Sequence, residues 1–95
     1  MTGRTAISFT LHAYDRMSER GVSRQEVLNA IKHGKLVEDY PEDRPFPSKL
    51  LLGDSQGRPL HVVVAWDTRR SEWLVITVYF PDSGRWEQDW RTRRR

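Results

Sequence analysis

The chain contains no cysteine, which excludes a disulfide framework, a thiolate nucleophile and a cysteine-ligated zinc centre. It has no apolar run of membrane length, and its first residues, MTGRTAISFT, lack the basic start and apolar stretch of a signal peptide. A soluble, cytoplasmic protein with no membrane contact is therefore expected. No glycine-rich phosphate loop is present, and Gly53 and Gly57 read as turn residues. His12, His33 and His61 lie in different segments without a paired spacing of the HExxH kind, so no metal and no other cofactor is expected. Serine-nucleophile arrangements are not signalled either.

What is present begins with size and charge. The 95 residues suit one domain, spanning 1–95, with residues 91–95 as a basic tail. Four of those last five residues, RTRRR, are arginine, so the chain carries +3 in all while residues 1 to 90 carry −1. An arginine cluster of this kind neutralises phosphates by counterion release, which favours RNA, DNA or an acidic partner. Its plainer meaning is a frayed, solvated terminus.

Periodicity gives helices first and strands second. In LHAYDRMSERG, helical spacing puts Ala13, Tyr14 and Met17 on one side, while His12, Arg16 and Arg20 form an adjoining polar stripe. Gly21 ends this helix and Val22 folds back toward Met17. Ser23 and Glu26 make a capping box, with Val22 and Val27 as its hydrophobic staple. The second helix runs from about Arg24 to His33, burying Val27, Leu28 and Ile31, and stops at Gly34.

After Gly34 the period changes to two. Leu36–Tyr40 is a short strand, and PEDRPFP a stiff extended connection. Lys49–Leu52 is a strand, DSQG its turn, Leu60–Trp66 a central strand and Trp73–Phe80 its antiparallel neighbour. Ala6–Phe9 is a candidate extra strand before the first helix. The expected class is α+β, with two N-terminal helices packed on one face of an antiparallel sheet of about four strands.

Alternation assigns Leu60, Val62, Val64 and Trp66, with Leu74, Ile76, Val78 and Phe80, to the helix-covered face. The opposite face then carries His61, Val63 and Ala65 beside Val75, Thr77 and Tyr79. Neutral imidazole at His61 can accept a proton near physiological pH and imidazolium can return it. Tyr79 can donate a hydrogen bond and Thr77 can orient a neighbour. Each also has an ordinary meaning, since threonine and tyrosine favour strands and a strand histidine is often only packed. Trp86 and Trp90, four apart, read as a last helical turn packing on the sheet, or as stacking contacts for RNA.

HAYDRMSERGVS, a helix ending IKHGK, then YPEDRPFPSKLLLG, RPLHVVVA and VITVYFPDSGRW together resemble the domain-of-unknown-function family 4258, from about Thr10 to Arg93. The residues at that family's recurrent polar positions are His12, Arg16, Arg20, His61, Thr77 and Tyr79. The resemblance implies a relation to small toxin nucleases, the RelE-type mRNA interferases, barnase and the colicin tRNases. It implies a RelE/barnase-like fold and the toxin of a toxin–antitoxin pair, with an antitoxin partner carrying a DNA-binding domain. The RelE-type catalytic pattern does not map onto this chain residue by residue.

The implied chemistry is metal-independent endoribonuclease action, in which a ribose 2′-hydroxyl attacks the adjacent phosphorus. In that reading His61 is base or acid, with His12 or Tyr79 as its counterpart. Arg16 and Arg20 stabilise charge on the phosphate, and Thr77 positions the site. Arg85, Arg91, Arg93, Arg94 and Arg95 extend the RNA contact. A single composite site requires the first helix at the rim of the sheet. The alternative is a non-catalytic module that binds RNA or a protein on the same face.

Overall fold

The computed structural model describes residues 5–95. Its elements are β1 (Ile7–Phe9), α1 (Leu11–Arg20), α2 (Arg24–His33), β2 (Lys35–Tyr40), β3 (Ser48–Ser55), β4 (Arg58–Asp67) and β5 (Glu72–Tyr79). The sheet order is β1-β5-β4-β3-β2, with β1 parallel to β5 and the remaining pairs antiparallel. The α+β class holds, but the sheet has five strands and is mixed, where about four antiparallel strands were expected. The difference is the Ala6–Phe9 candidate, which adds a parallel edge to β5.

The helix ends form as their local chemistry dictates. Gly21 is left-handed at φ 66°, and the Val22 N–H returns to the Met17 carbonyl at 2.9 Å. Ser23 and Glu26 complete a reciprocal capping box at the start of α2. The β3–β4 hairpin turns on Gln56 and Gly57, with φ of 52° and 85°, the paired positive values that a two-residue loop needs for strands of native twist.

Thr10 fixes where α1 begins. Its hydroxyl accepts from the Ala13 N–H at 3.0 Å and donates to the Ile76 carbonyl at 3.1 Å, while its own N–H donates to the Val75 carbonyl at 3.1 Å. The N-terminus of α1 is thereby pinned to the edge of β5 just past the end of β1. Ala13 and Met17 then bury against the sheet with Val22, Val27 and Ala30 of the α2 side.

The core face carries Leu60, Val62 and Val64 of β4, Leu51 of β3, and Val78 and Val75 of β5. On β5 the expected alternation fails halfway. Val63 pairs with Thr77 but Val64 pairs with Val75, so Ile76 is an extra residue in a β-bulge. A slip of one residue exchanges faces. Val75 and Trp73 therefore join the core, and Leu74 and Ile76 line a small cavity on the other face with Val63, Ala65 and Phe46.

That second face is not an open surface. His61, Leu50, Ala65 and Ser48 are all buried. The segment around Pro45 and Phe46 covers one part of it, and the C-terminal arm, residues 81–95, covers the part around His61.

Candidate active site

His61 sits at the centre of β4 with Tyr79 opposite it on β5, and its side chain is fully buried. Its Nε2 lies 2.7 Å from the Trp90 carbonyl and its Nδ1 lies 3.1 Å from the Tyr79 hydroxyl. A carbonyl oxygen can only accept, so the proton of neutral imidazole resides on Nε2. The lone pair is then on Nδ1, and Tyr79 donates to it. Trp86, itself buried, meets the ring edge-on at 4.7 Å between centroids.

Burial lowers the His61 pKa, and the hydrogen bond to Trp90 and the charge of Glu38 oppose this only in part. The same burial raises Tyr79. The resting pair is therefore a neutral histidine accepting from a neutral phenol.

Two residues back along β5, Thr77 Oγ1 lies 3.1 Å from His12 Nε2. His12 is exposed, and its contact follows from the Thr10 anchor, which brings the first turn of α1 against the edge of β5. Thr77 and Tyr79 share a face because they alternate along the strand, and their backbones are one strand repeat, roughly 7 Å, apart. The first helix thus lies at the rim. No hydrogen bond among the described residues joins His12 or Arg16 directly to His61 or Tyr79.

The two helix arginines are placed elsewhere. Arg16 is bonded to Glu19 on its own helix, and Arg20 reaches the same carboxylate at 3.5 Å. Both belong to a solvated flank of α1, where ion pairs of this kind contribute little.

The last residues form neither a free tail nor a helical turn. Trp86 and Arg93 make an isolated β-bridge, and the arm doubles back between them. The Arg93 guanidinium gives Glu38 two hydrogen bonds, Nε to Oε2 at 2.7 Å and Nη2 to Oε1 at 2.9 Å, and lies 4.6 Å over the Trp86 ring. Arg91 donates to the Leu36 carbonyl at 3.0 Å, and Arg94 to the Ser83 and Trp86 carbonyls at 2.7 and 3.0 Å. Arg94 also pairs with Glu87 at 3.2 Å. Arg85 and Arg95 are exposed. The bond from Arg93 holds the Glu38 carboxyl below its ordinary range, and Tyr40 donates to the same carboxylate.

Glu38 and the Trp90 carbonyl were not anticipated from sequence, while Trp86 packs on the sheet as its sequence reading expects, though from an extended arm rather than a helical turn. Glu38 is the one with a signal, a charged residue inside a short strand. A backbone carbonyl has none. Among the described residues no three histidine, aspartate or glutamate side chains gather in a way that would hold a metal ion.

The buried state of His61 has a measurable consequence for stability. The unfolded chain binds a proton at this imidazole in a pH range where the folded protein does not. The stabilisation is complete above the ordinary imidazole range and is lost as pH falls through it toward the lowered folded value. Glu38, lowered by Arg93, adds a separate loss further into acid. Urea midpoints measured from neutral to mildly acidic pH should fall for the native chain and change less for His61→Gln. Equal slopes would remove His61 as the cause.

Helices on one face of a mixed five-stranded sheet, with one exposed histidine–hydroxyl pair at the rim and one buried under the arm, define a small α+β domain. The chain belongs to the family described as "Domain of unknown function (DUF4258)", which it matches over residues 9–80. No curated protein and no solved structure matches it. The arm that covers His61 lies beyond the matched residues.

Proposed function

We propose that this protein is a metal-independent endoribonuclease that cleaves RNA by 2′-hydroxyl attack. The observation that carries the reading is the pair of histidine–hydroxyl contacts on β5, His12 with Thr77 and His61 with Tyr79, one exposed and one buried. Thr77 and Tyr79 stand on one face of β5, one strand repeat or roughly 7 Å of backbone apart, so a phosphodiester lying along that face can meet a base and an acid.

Tyr79 takes the proton of the 2′-hydroxyl as its own proton passes to His61 Nδ1, and the freed oxygen attacks phosphorus. The resulting imidazolium is stabilised by the Trp90 carbonyl and by Glu38. Protonated His12, held by Thr77 through Nε2, gives its Nδ1 proton to the departing 5′-oxygen. The products are a 2′,3′-cyclic phosphate and a 5′-hydroxyl. Arg16 and Arg20 act at longer range, drawing a polyanion toward the His12 side. The family resemblance adds the biological role of a toxin inhibited by a DNA-binding antitoxin.

Purified protein should cut single-stranded RNA in EDTA and leave cyclic phosphate ends, detected by resistance of the new ends to phosphatase. Strict dependence on a divalent metal would reject the mechanism. A second reading, a module that binds RNA or protein without cutting, is favoured by the complete burial of His61 with both ring nitrogens satisfied inside the fold. Failure to cut RNA under any condition, including with ribosomes, would transfer the weight to it.

A further inference from the structure

The C-terminal arm does more than cover His61. Between it and the end of β5 runs a cleft of about 480 Å³ lined by Tyr79, Phe80, Asp82, Arg85, Trp86 and Arg93. We propose that this cleft is a phosphate-binding site in which Arg85 and Arg93, rather than Arg16 and Arg20, meet the phosphodiester; it deepens the RNA-cleavage reading, on which it rests for the identity of the ligand.

Arg93 is set in place before any ligand arrives. Its Nε and Nη2 are fixed by Glu38 and its plane by Trp86, which leaves Nη1 outside that ion pair. A guanidinium held in this way presents its remaining N–H groups at little further entropic cost. Arg85 is fixed through its backbone, whose N–H donates to the Asp82 carbonyl at 3.0 Å and whose carbonyl accepts from the Arg94 N–H at 2.8 Å. Its side chain is exposed and joins no ion pair among the described residues.

A third guanidinium, that of Arg58, lies 3.7 Å over the ring of Phe80 at the same end of the sheet. The one carboxylate lining the cleft, Asp82, has Oδ1 occupied by the Gly84 N–H at 2.9 Å. With Glu38 counted against Arg93, three guanidiniums face two carboxylates, a balance that still favours an anion, and arginine forks match the oxygens of a phosphate. Tyr79 lines the same cleft, so an anion bound there lies against the residue whose hydroxyl is bonded to His61. On α1, by contrast, Arg16 and Arg20 share the Glu19 carboxylate.

The test uses the full chain and a short oligodeoxythymidylate, which offers phosphates but no 2′-hydroxyl to attack, with inorganic phosphate as a second probe. Arg85→Ala should weaken oligonucleotide binding roughly tenfold and reduce the salt slope by about one. Arg93→Lys, which keeps a charge near Glu38 but loses the fork, should weaken it as well, and phosphate should shift the amide resonances of the arm before those of α1. The double variant Arg16→Ala/Arg20→Ala, which removes only longer-range attraction, should lose less affinity than Arg85→Ala. The proposal is overturned if that double variant loses more affinity than Arg85→Ala, or if phosphate shifts α1 and leaves the arm unmoved. Binding that depends on Arg85 in a protein that never cuts RNA would uphold the site and reject the cleavage reading. Full-rate RNA cleavage by Arg85→Ala with unchanged binding would do the reverse.

Discussion

Tyr79→Phe should reduce RNA cleavage by roughly 10²- to 10⁴-fold, the range that removal of a positioned proton-transfer group produces. The fold should survive, because the phenol's hydrogen-bond partner among the described residues is His61 Nδ1 and the ring itself is retained. The cost to stability is that of a buried nitrogen left without its donor, on the order of 1–3 kcal/mol. His61→Ala is a less informative variant, since it also opens a cavity beside Trp86 and strands the Trp90 carbonyl. Initial rates in EDTA, read beside a thermal melt, separate the two effects. Native-like cleavage by Tyr79→Phe would remove the relay and leave His12 without its counterpart.

Legibility in the sequence follows the range of the interaction. The helix ends read from the sequence rest on contacts within four residues, with Gly21, Ser23 and Glu26 each acting on their own turn, whereas the Thr10 cap, which also bonds to β5 across 66 residues, went unread. The hairpin at Gln56 and Gly57 is equally local. Alternation placed His61, Thr77 and Tyr79 on one face, which the register of β4 and β5 bears out. It failed at Ile76, because a bulge depends on the partner strand and no property of the LVITVY run marks the extra residue.

The arm was unreadable for a similar reason. RTRRR has no hydrophobic period, and its order comes from Glu38, which Arg93 reaches across 55 residues of sequence. Charge runs that find a fixed acceptor become structure; those that do not remain solvated. The body of the chain, with its net negative charge, supplies such acceptors in Glu38 and Glu87. The site is accordingly split in origin, with the family-matched residues 9–80 providing both histidine pairs and the arm providing the carbonyl and arginines around them.

Gly34 and Gly53 carry the second large effect. Gly34 has φ −69° and ψ 168°, a conformation open to any residue, so its requirement for glycine is one of space. A Cβ there would stand 2.3 Å from the Ala30 carbonyl oxygen and 2.6 Å from that of Leu52. At Gly53, inside β3 rather than in a turn, a Cβ would meet the Cβ of Ala30 at 2.5 Å. Helix α2 therefore rests on the sheet through three small residues. Gly53→Ala should cost about 1–3 kcal/mol, as overpacking does, and Ala30→Gly should restore part of the loss despite its own helix penalty of about 1 kcal/mol. Gly34→Ala should cost at least as much and should not be rescued by Ala30→Gly, because the obstructing atoms are backbone oxygens. Leu52 pairs with His61 across β3 and β4, so the same variant should also disturb the His61 ring resonances while Gly53→Ala disturbs them less. Urea midpoints of the four variants would decide it. A Gly34→Ala protein as stable as the native chain would mean that α2 shifts at no cost, and that the close contact does not fix the helix on the sheet.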